Sequence, residues 1–225
     1  MKLLRLLVRA VICLLPWPLK RRLLVRCFGY RLSPTARIGI AWIYPGHLEM
    51  QADSSIDHFC VAIHLDRIQL DRDSHIGRGN WITGLSTKAP SRHFRHLPQR
   101  SSQLHLGVSA WVAKNHHLDC SDSITIGPFT TVAGYGSQFL THSIDLKHNR
   151  QHCAPIHIGA YCFVGTRVVL LGGSALPSHS VLGACSLLNR QQVEPWSLYA
   201  GQPAVRRKAI DPEAAYFRRS DGFVE

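Results

Sequence analysis

The sequence predicts an all-β chain, a coil of short strands around a triangular core, and three observations lead there. Aliphatic residues recur every six positions at Ile158, Val164, Leu170, Leu176, Leu182 and Leu188. Small residues keep the same register: Gly159, Gly165 and Gly183 follow aliphatic positions, and Ser174, Ser180 and Ser186 lie four places after them. Earlier blocks keep the step, first Leu70, Ile76 and Ile82, then Leu106, Val112, Leu118 and Ile124. An α-helix places residues six apart on nearly opposite faces, and an ordinary strand alternates every two. Three six-residue sides per turn satisfy the period, with each aliphatic pointing inward and coils stacking about 4.8 Å apart. A β-sandwich would have to produce the spacing by coincidence.

The chain has 225 residues, 45% hydrophobic and 18% charged, enough apolar material for a real core and too much for disorder. Its net charge of +12 is uneven: residues 1–37 hold nine Lys/Arg and no acid, whereas the body is nearly balanced. That distribution speaks against general nucleic-acid binding and for a local basic segment. Seven cysteines at 13, 27, 60, 120, 153, 162 and 185, with no CxxC pair, fit a reducing cytosol and small apolar packing rather than a disulfide framework.

Residues 1–30 read as a short basic amphipathic helical segment, with Lys2, Arg5 and Arg9 on one face and Leu3, Leu4, Leu6, Leu7, Val8 and Val11 filling the rest. A second basic helix is expected from about residue 19 to 27. The charge-free run of residues 10–19 contains Pro16 and Pro18 and is too short to span a bilayer. The expected role is contact with an anionic membrane surface through residues 1–28, each headgroup-facing cation contributing roughly 1 kcal/mol; packing on the chain's own body is the alternative.

Residues 31–205 form the coil domain, and residues 206–225 a basic tail with a short C-terminal helix starting at Asp211-Pro212-Glu213. Two stretches interrupt the coil. Residues 86–105 are basic and His-bearing, leave the six-residue phase intact, and read as an external loop that covers a cleft or meets an anionic glycan. The phase slips by two at Ile126, continues to Val132, and is lost until Ile158. Within that gap Thr141-His142-Ser143-Ile144-Asp145 lies in an ejected loop. A histidine there suits general-base work at neutral pH, and Asp145 either orients it or serves the turn.

The segments Ile158-Gly-Ala-Tyr-Cys-Phe-Val-Gly-Thr and Leu182-Gly-Ala-Cys-Ser-Leu-Leu and the closing Ala200-Gly-Gln-Pro-Ala resemble the hexapeptide-repeat acyltransferases. The likeness is to maltose and galactoside O-acetyltransferases and to surface-polysaccharide acetyltransferases, over about residues 100–208. It implies a left-handed parallel β-helix, a homotrimer, and acetyl-CoA in a groove between subunits. His142 matches the family's catalytic histidine. The resemblance gives the oxyanion donor to the backbone N–H of Thr166, beside Gly165, and a backbone contact with the CoA arm to Ala184, 18 residues later. Phe163 stands where relatives often carry Trp beside the catalytic histidine. Arg190, Arg206 and Lys208 are candidates for the CoA phosphates, although Val205 replaces the basic residue many relatives carry there. Asn115, His116 and Asp119 match the region lining the acceptor pocket.

The expected activity is therefore transfer of an acetyl group from acetyl-CoA to a sugar hydroxyl of a nucleotide- or lipid-linked glycan, in surface-polysaccharide assembly. The expected location is cytoplasmic, peripheral on the inner face of the bacterial cytoplasmic membrane. No metal and no nucleic acid are expected. Two rivals stand beside this reading: a metal-dependent β-helix hydratase, to which His116, His117 and Cys120 would point, and a non-catalytic β-helix scaffold.

Overall fold

Three faces of parallel strands account for nearly the whole chain. The computed structural model describes residues 2–224, and among these the side chains of all but Lys2 and Arg5. The first face runs from Arg31–Leu32 to Ala175–Leu176, the second from Arg37–Ile38 to Val205–Ala209, and the third from Trp42–Tyr44 to Leu187–Leu188. The chain visits them in rotation, giving a left-handed parallel β-helix. Its core is the six-residue register itself: Ile158, Val164, Leu170, Leu176, Leu182 and Leu188 are fully buried.

Register explains the irregularities in the sequence. Leu70 pairs with Leu106, so residues 86–102 are extruded between two rungs without disturbing the stack. Ile124 and Ile126 both point inward opposite Leu104 and Leu106, which is the two-residue slip. Ile126 pairs with Ile158, and the coil between them keeps its strands Thr131–Val132 and Gln138–Leu140 in the prism; only the residues after Leu140 are expelled, as an antiparallel hairpin of His142–Asp145 against Arg150–Cys153.

Turns at each corner stack above one another. At the corner from the first to the second face, Phe129, Tyr161, His179 and Trp196 form a ring ladder with centroids 4.7, 5.2 and 4.2 Å apart. The C-terminal arm leans on it: Phe217 packs on Trp196, and Arg219 lies over Tyr216 and Tyr161. The expected C-terminal helix is a single 3-10 turn, Ala215–Arg218, and Arg206 and Lys208 belong to the last strand, Val205–Ala209, antiparallel to Ser197–Ala200.

Two helices close the other end. Helix α1 is Lys2–Leu14 and α2 is Trp17–Phe28, the latter begun by Pro18 in its first turn and ended by Gly29 in a left-handed conformation. No coil precedes the first one, and donors from the helices take its carbonyls: Lys20 Nζ donates to Gly39 O (2.6 Å), Arg21 to Leu32 O (2.7 Å) and Cys13 Sγ to Ala41 O (3.0 Å). Ile12 and Leu24 extend the core across the junction. The expected cationic face of α1 is corrected in part. Arg9 turns inward, its guanidinium 4.9 Å from the Tyr44 ring and 5.8 Å from that of Phe28, while the Lys2 and Arg5 side chains lie outside the described residues.

Lys20 is almost fully buried, and burial lowers its pKa. Lys20→Met is expected to lower stability by about 2 kcal/mol by removing charge-assisted bonds to Gly39 and Cys13 carbonyls, read as a lower denaturant midpoint. An unchanged midpoint would show that the cap does not depend on them.

Candidate functional site

Three consecutive turns at the corner from the third to the first face converge on one imidazole. The first is the extruded segment after Trp81–Thr83, the second follows His117–Asp119, and the third, after Gln138–Leu140, is the hairpin that begins at His142. The stacking period therefore brings together residues 94, 119 and 142 along one edge.

The extruded segment is tied down rather than loose. Asp66 accepts from the Ser86 hydroxyl and from both the N–H and hydroxyl of Thr87 at its start. At its end Arg100 donates to the carbonyls of Leu85 and Ser121 and lies 4.8 Å from the Phe94 ring. Phe94 is buried, with a φ of +62°, and meets the His142 ring edge to face at 5.6 Å. A cavity of about 530 Å³ opens beside this corner, lined by residues that include His96, Arg100, Asp122 and Ser123.

His142 is 40% exposed, with its Nδ1 3.8 Å from Asp119 Oδ2, an electrostatic contact rather than a hydrogen bond. Its Nε2 meets Gln151 Oε1 across the hairpin. Asp119 is held from behind, since its Oδ1 accepts from the Ser121 N–H (2.9 Å) and hydroxyl (2.7 Å). Asp145 does not meet His142. It accepts from His148 (2.7 Å) and Arg150 (3.2 Å) and so fastens the hairpin turn, and these partners lower its pKa. The carboxylate beside the imidazole is Asp119, which the family resemblance places among the acceptor-binding candidates.

The three acceptor candidates are separated. Asn115, with a φ of +55°, sits at the corner from the second to the third face. His116 points into the prism, 2% exposed, with Nδ1 accepting from the Ser137 N–H (3.1 Å) and Nε2 unpaired among the described residues. His117 lies on the other side of the strand, and among the described residues no three His, Cys, Asp or Glu side chains gather as a metal cage.

Thr166 and Ala184 lie one above the other at the same corner as Asn115. Neither backbone N–H has a hydrogen-bond partner among the described residues, whereas neighbouring Gly165 and Gly183 donate to the next coil (both 2.8 Å). Gly165 allows the close stacking there: a Cβ at this position would lie 2.6 Å from Ala184 N and 2.9 Å from its Cα. Gln138 pairs with Val169, so Thr166 is level with Tyr135, whose carbonyl accepts its hydroxyl at 3.0 Å. His142 is thus seven residues away across the third face, roughly 20 Å along an extended chain. Within one chain the imidazole and the free N–H groups occupy opposite edges of that face.

The cationic candidates are divided as well. Arg190 is on the His142 edge. Arg206 pairs with Glu194 (2.9 Å) and bonds the Ser197 hydroxyl (2.9 Å), while Lys208 is exposed beside Phe163 and Tyr216. Phe163 stacks edge to face on Tyr216 and makes no contact with His142 of its own chain. Sequence reading missed Phe94, Arg100 and Gln151; the lone aromatic within Arg92-His-Phe-Arg-His96 was the available signal.

No protein-family model matches the sequence, and a search of curated proteins finds no match. Among solved structures, a polysialic acid O-acetyltransferase is 16% identical, with 80% of this chain and 84% of that chain covered and a TM-score of 0.57. An N-acyltransferase from Bacillus cereus in complex with dTDP and coenzyme A is 12% identical, covering 84% and 88%, with a TM-score of 0.50. Both establish the shared fold. A hexapeptide-repeat-containing acetyltransferase from Vibrio cholerae O1 biovar eltor, complexed with acetyl coenzyme A, is 28% identical over 48% of this chain, with a TM-score of 0.45. That match takes in 61% of the Vibrio chain, less than two thirds of its length.

Burial lowers the His116 pKa to about 4, so between that value and the unfolded value near 6.5 the unfolded chain binds the extra proton. Stability is expected to fall by up to about 3 kcal/mol as pH drops through this window, and to level off below it. His116→Asn, which retains an acceptor for the Ser137 N–H, should flatten that limb in urea titrations. Equal pH dependence in both proteins would contradict the buried neutral imidazole.

Proposed function

We propose that the chain is an acetyl-CoA-dependent O-acetyltransferase acting on a sugar hydroxyl of a nucleotide- or lipid-linked glycan, in surface-polysaccharide assembly at the inner face of the cytoplasmic membrane. The observation that carries this reading is the division of the site: a half-exposed imidazole backed by a carboxylate on one edge, and two unpartnered N–H groups on the other. A homotrimer joins them by setting the His142 edge of one protomer against the Thr166 edge of the next, with acetyl-CoA in the groove between. Phe163 and Lys208 then belong to the neighbour's side of that groove.

In the proposed step His142 takes the acceptor hydroxyl proton as the oxygen attacks the thioester carbonyl carbon. The developing oxyanion is held by the Thr166 N–H, and the Ala184 N–H holds the CoA arm. The C–S bond breaks, and the proton carried by His142 passes to the departing CoA thiolate. No acyl-enzyme forms. Asp119 positions the imidazole and stabilises its cation, and Phe94 shields it from water.

His142→Ala is expected to cut acetyl transfer by about 10²–10⁴-fold while acetyl-CoA binding persists. Transfer measured against a panel of nucleotide-linked sugars checks this, and an equal rate in both proteins would remove His142 from the mechanism. Asp119→Asn should lower kcat by about tenfold or more with little change in KM for acetyl-CoA, whereas Asp145→Asn should stay within about threefold of wild type. The reverse ranking would return the positioning role to Asp145.

A further inference from the structure

The helical cap presents an apolar surface that the fold leaves uncovered. Ile12 faces the body, whereas Leu3, Leu4, Leu6, Leu7, Val8, Val11 and Leu14 of α1 are exposed, Leu4 by 67% and Leu14 by 70%. Together they form a broad helical face, far more apolar exposure than a solvated cap helix needs. Around it, α2 exposes Arg22 and Arg26, and the first acid in the chain is Glu49. Two copies meeting through this surface would bring two acid-free cationic segments together, so a second copy is a poor occupant, whereas an anionic lipid surface complements both the charge and the leucines. No described helix is long and apolar enough to cross a membrane, which leaves docking in the interfacial plane.

Because α1 and α2 cover the end of the prism, the direction of docking is fixed too. The carbonyls they cap all belong to the first coil, and the buried Ile12 and Leu24 point into the end of the core. The exposed face therefore looks along the prism axis, away from the coils. His142 leaves the fifth of seven rungs on the third face, four spacings from the first, or about 19 Å. With a helix layer of about 10 Å between, the imidazole stands about 30 Å from the lipid plane.

We propose that the outer face of α1 seats this chain end-on on an anionic lipid bilayer, with the β-helix standing off the membrane and His142 held about 30 Å above it. The inference deepens the peripheral location proposed above, and its readouts do not depend on acyl transfer. Its failure is thus distinguishable from failure of the enzymatic reading. For the active site it means that the acceptor hydroxyl is met well above the headgroups, at the outer part of a membrane-anchored glycan chain rather than beside its lipid.

The test uses the full chain and vesicles of phosphatidylglycerol with phosphatidylcholine. Wild type should float with these vesicles and not with phosphatidylcholine alone. Leu7→Glu/Val11→Glu should lower partition by at least about tenfold without lowering the thermal midpoint, because both positions are exposed. Arg22→Glu/Arg26→Glu, on the same assay, should weaken binding and its salt dependence. Orientation is read by energy transfer to a headgroup acceptor from labels at Ile40→Cys on the first coil and Val193→Cys beyond the last, both in a background with Cys27 and Cys185 replaced by Ser. End-on docking predicts strong transfer at 40 and weak transfer at 193, a separation of about 30 Å. Similar transfer at both positions would overturn the orientation. Unaltered flotation of Leu7→Glu/Val11→Glu, or a changed oligomeric state in place of lost flotation, would overturn the lipid assignment.

Discussion

Hydrogen bonding between successive coils at one fixed register is the constraint on which the structure depends. Each inward aliphatic sits above its counterpart because the strands pair residue to residue, from Ile124 opposite Ile156 to Val164 opposite Leu182. Sheet pairing leaves only the corners free to vary, and a corner can lose no strand without breaking the stack. Insertions are therefore expelled outward, and two of them leave from the same corner on nearby rungs.

Chemistry follows from that geometry rather than from any local motif. A coil of about 18 residues returns the chain to the same corner, so residues far apart in sequence become neighbours one spacing apart. Phe94, Asp119 and His142 meet in this way, although between 23 and 25 residues separate each from the next. The same repetition stacks Thr166 under Ala184 on another corner, where a glycine at 165 permits the approach of the two turns. The prism keeps these two groups apart within one chain, which is why the proposed mechanism calls on a neighbouring edge.

The fold was legible because its period lies in the residue types: aliphatic every sixth residue, with small residues keeping step. His142 stands out as a candidate only through its place in a polar interruption between strong repeat blocks together with the family resemblance. What lay beyond the sequence was direction. The six-residue step says which residues point inward but not on which corner a turn residue falls, so Asn115, His116 and Asp119 read as one cluster, although they occupy an edge, the core and the opposite edge. Proximity in sequence left Asp145 with two readings, orienting His142 or serving the turn; it fastens the hairpin turn, and the carboxylate beside the imidazole is Asp119, one rung away. In the N-terminal segment the charges of α1 seemed to define its outer face, yet Arg9 is drawn inward by the rings of Phe28 and Tyr44, and leucines remain outside.

The central claim, that a working site forms between the His142 edge of one protomer and the Thr166–Ala184 edge of another, is tested most directly by mixing two defective proteins. His142→Ala removes the base, and Gly165→Ala presses a Cβ against the Ala184 backbone on the other edge. Each alone should be inactive in acetyl transfer. Unfolded and refolded together, they should form mixed trimers that regain activity, about a quarter of the wild-type level if assembly is random. Mixed trimers as inactive as their parents would contradict a site shared between subunits.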